Sequence, residues 1–113
     1  MELVNALVIL RYILDDDPVL SNKASTIIEN RYITIPFEVV TEIVYVLEKL
    51  YHVSRDDIYD SLVDILNYPN ISSYDDDVLF KALDLFRVSP IDFVDCLLCA
   101  YHKIRKYHIY TFD

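Results

Sequence analysis

Residues 32–50 read Tyr32-Ile33-Thr34-Ile35-Pro36-Phe37-Glu38-Val39-Val40-Thr41-Glu42-Ile43-Val44-Tyr45-Val46-Leu47-Glu48-Lys49-Leu50, and a change of period inside this stretch decides the fold class. Tyr32 to Ile35 is β-branched and aromatic, the composition of a strand. Pro36 follows at a first helical position, where its missing N–H is no loss. Beyond it Val39, Val40, Ile43, Val46, Leu47 and Leu50 recur with a helical period. A strand running straight into an amphipathic helix is one half of a parallel βαβ unit.

Working outward, the same alternation recurs. Leu3 to Asn5 reads as a short buried strand and Val8 to Leu14 as a helix. Asp15-Asp16-Asp17-Pro18 is a turn whose three acids are solvated, and it leads into a helix over Val19 to Glu29. Another helix covers Arg55 to Leu66, with Ser54 as its N-cap and Asp57 in its first turn. Asn70-Ile71-Ser72 is a short strand and Asp75 to Val88 a helix. In that helix Val78, Leu79, Ala82, Leu83 and Phe86 face inward, and Ser89-Pro90-Ile91-Asp92 opens the next, which carries Phe93, Val94, Leu97, Leu98 and Tyr101. Tyr107 to Phe112 is the last strand. Strands separated by helices imply parallel pairing through right-handed crossovers. The expected architecture is α/β: a three-layer α/β/α domain with a short parallel sheet of about four strands.

The chain of 113 residues suits a single domain, 1–113. It contains no glycine. Left-handed helix-ending positions are therefore expected at Asn or Asp, with Asn30 and Asn67 placed where helical patterns stop. A hydrophobic share of 54% and a mean hydropathy of +0.24 mean that a sheet is buried on both faces or apolar surface is covered by a partner. Charges interrupt every apolar run well short of the roughly 20 residues of a membrane span. The start of the chain lacks the basic region of a secretion signal, so the expected location is the cytoplasm and no membrane partner is expected.

A net charge of −9 excludes a broad basic face for nucleic acid. Only His102-Lys103-Ile104-Arg105-Lys106 is locally basic. A chain this acidic that acts on nucleic acid needs a divalent cation or a partner to supply attraction. Cys96 and Cys99 form C-x-x-C inside an apolar helical pattern, which reads as two buried core cysteines rather than a redox pair. With His102 they do not converge into a zinc site.

In an open parallel sheet, ligands lie beyond the carboxyl ends of the strands. Asn5 and Asp113 end the first and last expected strands. Glu42 lies about two turns into the helix after the second strand, and Asp95 in the second turn of the helix opened by Ser89-Pro90. Helical side chains lean back toward the helix start, so all four can meet at one edge. With Ser89 as N-cap, Asp92 stands at N3 in a capping box, which competes with a catalytic reading for it. Asp95 and Glu42 flank apolar stripes without such an explanation; each is either a ligand or a solvated edge of its helix.

These residues resemble the motifs of one family. Val8 to Pro18 looks like the segment after the first motif of VapC-type PIN domains. Ile35 to Lys49 resembles their second motif, with Glu42 at the acidic position, and Asp92-Phe93-Val94-Asp95-Cys96-Leu97-Leu98 resembles the third, with Asp95 at the metal-binding acid. Tyr110-Thr111-Phe112-Asp113 resembles the fourth. The resemblance implies a Mg²⁺- or Mn²⁺-dependent endoribonuclease of a toxin–antitoxin system. Glu42, Asp95 and Asp113 would hold the metal, Thr111 would assist by hydrogen bonding, and RNA would be the substrate. It further implies a VapB-like antitoxin partner and a homodimer, for which apolar surface on Val39 to Tyr51 and Ile58 to Leu66 is available. The first motif departs from the family's Asp-x-Asn: here it is Asn5-Ala6-Leu7, which replaces a carboxylate with a neutral amide and an amide with leucine. The chain also stops at the fourth motif, where members usually continue, so the domain is expected to be shortened at its C-terminus with a sheet edge left open. Three functions follow: a ribonuclease weakened at Asn5; a catalytically inactive PIN-like domain for protein binding or assembly; or a self-associating α/β protein whose acids are merely solvated.

Overall fold

In the computed structural model, which describes residues 1–112, short polar side chains cap the helices that begin at Ala6, Pro18, Arg55 and Asp76. Strand β1 (Glu2–Leu3) ends two residues before helix α1 (Ala6–Leu14), and Asn5 caps that helix, its Oδ1 accepting from Val8 N at 3.2 Å. Asp17 caps α2 (Pro18–Asn30), accepting from Val19 N and Leu20 N, with Pro18 at the first helical position. After β2 (Ile33–Ile35), Pro36 is the cap residue of α3 (Phe37–Tyr45), which continues as a π-helical turn over Val46–Leu50. Ser54 caps α4 (Arg55–Leu66) by accepting from Asp57 N at 3.1 Å, as the sequence predicts. Then come β3 (Ile71–Ser73), α5 (Asp76–Val88) capped by Asp75, and α6 (Phe93–Arg105).

The sheet is parallel, in the order β1-β2-β3, with Glu2 opposite Ile33 and Ile33 opposite Ile71. It has three strands among the described residues, not the four expected. Tyr107 to Phe112 forms no strand. Lys106 closes α6 in the left-handed conformation at φ 62°, and the chain turns back on the helix. There the Tyr107 ring stacks on Tyr101 with centroids 5.7 Å apart, and Tyr107 O lies 2.9 Å from His102 Nδ1. The left-handed turn and these contacts at Tyr107 divert the chain from an extended run, and Leu3 of β1 stays 57% exposed.

Left-handed positions in this glycine-free chain fall to Asp15, His52 and Lys106 among the described residues. The expected Asn30 and Asn67 are not among them. Asn30 is helical and its Nδ2 donates to Thr26 O, while Asn67 ends α4 at φ −83°. The core takes Val40, Ile43, Leu47, Leu79, Leu83 and Phe86 from the predicted stripes, joined by Ile9, Ile28, Ile35, Ile58 and Leu62, all buried, whereas Leu50, Val94 and Leu98 of those stripes are exposed. Ile58, Leu62, Ile65 and Leu66 thus turn α4's apolar face inward, where it is unavailable to a second copy. No helix among the described residues is long and apolar enough to cross a membrane.

Candidate functional site

The start of α6 is placed by Arg55. Its side chain, only 20% exposed, bonds Glu48 Oε2 through Nε at 2.8 Å and lies over the Phe86 ring at 3.9 Å. Its Nη1 donates to the carbonyls of Phe86, Ser89 and Ile91 at 3.2, 2.8 and 2.7 Å. One guanidinium therefore ties the π turn after α3, the end of α5 and the α5–α6 connection together, and the planar fork of arginine suits donation to several acceptors at once. What it holds in place is Asp92, Phe93 and Asp95.

Ser89 is not the cap of α6. It ends α5, with Oγ donating to Leu85 O at 2.7 Å, and Asp92 is the N-cap residue. The capping-box spacing in the sequence is overruled because Ser89-Pro90-Ile91 is needed as a connection whose carbonyls reach Arg55. Asp92 makes no side-chain cap hydrogen bond, and its carboxylate has no ion pair or hydrogen bond among the described residues. Asp92 and Asp95 line one cleft of about 450 Å³ with Thr41, Tyr45, Glu48 and Lys49. Asp92 is the residue that the capping-box reading hid; its place beside Asp95 in the Asp-x-x-Asp spacing was the available signal.

Asp95 also borders a second cleft, of about 500 Å³, whose far wall includes Thr111. The structure therefore brings Asp95 and Thr111 to one cavity. Glu42 is exposed on α3 and lines none of the cavities described, and Asn5 borders a small hollow of about 170 Å³ with Leu7, Arg11 and Lys23. Asp113 lies outside the described residues. Among the described residues no three His, Cys, Asp or Glu side chains group closely enough to hold a metal ion. Glu42 and Asp95 contribute charge, but Asn5 is neutral and its carbonyl already accepts the Val8 amide. This described donor set does not by itself fit a divalent cation, which depends on converging anionic oxygens.

The C-x-x-C divides. Cys96 is buried, burial pushes its thiol above the ordinary value, and Sγ lies 3.8 Å from Ile91 O. Cys99 is exposed, contrary to the expectation of two core cysteines, because positions three apart on a helix straddle the edge of its buried face.

The PIN domain family matches residues 3–113, essentially the whole chain, and the protein belongs to that family, a nuclease-type fold. No curated protein and no solved structure matches it.

Proposed function

We propose that this chain is the endoribonuclease of a toxin–antitoxin pair, of VapC type, dependent on Mg²⁺ or Mn²⁺ and weakened at its first acidic position. The observation that supports this reading is the family match over residues 3–113, with exposed carboxylates at Glu42 and Asp95. Neither carboxylate has an ion pair or hydrogen bond among the described residues. An acid such as Asp95 beside a cleft repels RNA phosphates on its own, so cleavage there requires a cation. Glu42, Asp95 and Asp113 are the residues that the family resemblance assigns to it; Asp95 shares a cleft with Thr111, Glu42 stands exposed on α3, and Asp113 lies outside the described residues. The partner that fits the acidic cleft is a basic segment of a VapB-like antitoxin. Tyr45, Leu50 and Tyr51, exposed at the end of α3 and in the turn after it, offer the surface for a homodimer. The setting is cytoplasmic.

A second reading, a catalytically inactive binding or assembly module, is favoured by the engagement of Asn5 Oδ1 as a helix cap. Asn5→Asp separates the two, because Asp caps as well as Asn and the fold is kept. Cleavage of RNA by the unsubstituted chain in Mn²⁺, rising by no more than about tenfold in Asn5→Asp, supports the weakened nuclease. Cleavage seen only in Asn5→Asp supports the inactive module. If Mn²⁺ fails to raise the melting temperature of either protein, both give way to the solvated-acid reading.

A further inference from the structure

The cleft of about 500 Å³ between α6 and residues 107–112 is lined by His102, Lys103, His108, Tyr110 and Thr111, with Asp95 at its border. In a chain of net charge −9 this composition is unusual. Arg11, Arg31, Lys49, Arg55, Arg87 and Arg105 are all neutralised by carboxylates within 4 Å. Lys103 has no ion pair among the described residues, and it is the one cation on the wall of this cleft. Tyr110 is 89% exposed, and among the described residues its one ring–ring contact is with His108, edge to face at 4.5 Å. An unpaired ammonium beside an exposed ring is the pairing that single strands exploit, a cation for the backbone and a π-face for a base.

We infer that this cleft is a single-stranded RNA subsite, in which Lys103 takes a backbone phosphate and Tyr110 stacks on a base. His102 and His108 line the space between them. Lys103 lies eight residues after Asp95 on α6, about 12 Å along the helix at its usual rise. That separation keeps the bound phosphate clear of the Asp92–Asp95 pair while leaving the strand directed toward it. The subsite explains how an acidic protein retains a polyanion without a broad basic face. The inference rests on the reading of the chain as an RNA-acting domain and adds where the strand is gripped.

The test is binding of a short fluorescent oligouridylate, followed by anisotropy in EDTA so that neither metal nor cleavage enters. Tyr110→Ala should weaken binding by about tenfold, and Tyr110→Phe, which keeps the π-face, should bind like the unsubstituted chain. Lys103→Ala should weaken binding by about threefold to tenfold and make the logarithmic salt slope shallower by about 0.7, the loss of one phosphate contact. Lys81→Ala, which removes another unpaired cation away from the cleft, should change affinity by less than about twofold. Equal losses in Lys81→Ala and Lys103→Ala, unchanged binding in Tyr110→Ala, or no binding at all would overturn the subsite. RNA cleavage that is indifferent to these substitutions leaves the nuclease reading standing and removes the subsite. Binding that responds as described, with no cleavage even in Asn5→Asp, does the reverse.

Discussion

The starts of α1 and α6 are two helix N-termini where the family resemblance places polar site residues, and they use those residues in opposite ways. At α1 the Asn5 side chain accepts the Val8 amide and completes the helix end. At α6 neither Asp92 nor Asp95 makes a side-chain hydrogen bond among the described residues; the helix start is held by Arg55, which grips the carbonyls of Ser89 and Ile91 from outside. A side chain that satisfies its own backbone has less to offer a ligand. Where tertiary contacts hold the helix start, the acids remain free. The α6 corner is thus the part of this molecule best prepared for chemistry, and the α1 corner is mainly structural.

The largest effect should come from breaking the clamp. Arg55→Met leaves Glu48 and the carbonyls of Phe86, Ser89 and Ile91 without this donor, and should cost about 2–4 kcal/mol, read as a lower urea midpoint. If the midpoint hardly moves, the α6 start is held by something else. The caps should separate next. Asn5→Ala should lose about 1 kcal/mol, whereas Asp92→Ala, which removes no side-chain cap bond, should stay within about 0.5 kcal/mol. Equal losses would erase the contrast between the two corners.

The smallest effect concerns the other end of α6, where Arg105 bonds Asp75 at 2.7 and 2.9 Å. That guanidinium holds the Asp75 carboxyl below its usual value. A carboxyl with a lowered folded-state value stabilises fully above its unfolded value, near pH 4, and the contribution is lost as pH falls through the folded value. The melting temperature of Asp75→Asn should therefore fall slightly below that of the unsubstituted chain at pH 7, and the gap should close in acid. A gap that is constant or widens toward low pH would mean that the charge on Asp75 is not the stabilising element.

Helical spans were legible in the chain because their signals are local. Ser54 caps α4 where the pattern places it, and the stripe of Val40, Ile43 and Leu47 is buried as its period requires. Positions of Glu42 and Asp95 on α3 and α6 were legible for the same reason. Misreadings arose where distant residues competed. The Ser89-to-Asp92 spacing satisfies a capping box, yet Arg55, far back in the sequence, claims the connection between them. Asn30 and Asn67 suit left-handed ends, but Lys106 and His52 adopt that conformation where the next segment has to turn.

Sequence alone determined the α/β alternation, the amphipathic faces and the family motifs, since each is encoded in the spacing of near neighbours. Tertiary structure alone decided the fate of Tyr107 to Phe112, whose β-branched and aromatic residues suit a strand but which follow a left-handed turn at Lys106, with Tyr107 stacked on Tyr101 and hydrogen-bonded to His102. It also decided which acids stay free. Both outcomes depend on competition for hydrogen bonds and ring contacts between residues that become neighbours only once the chain has folded.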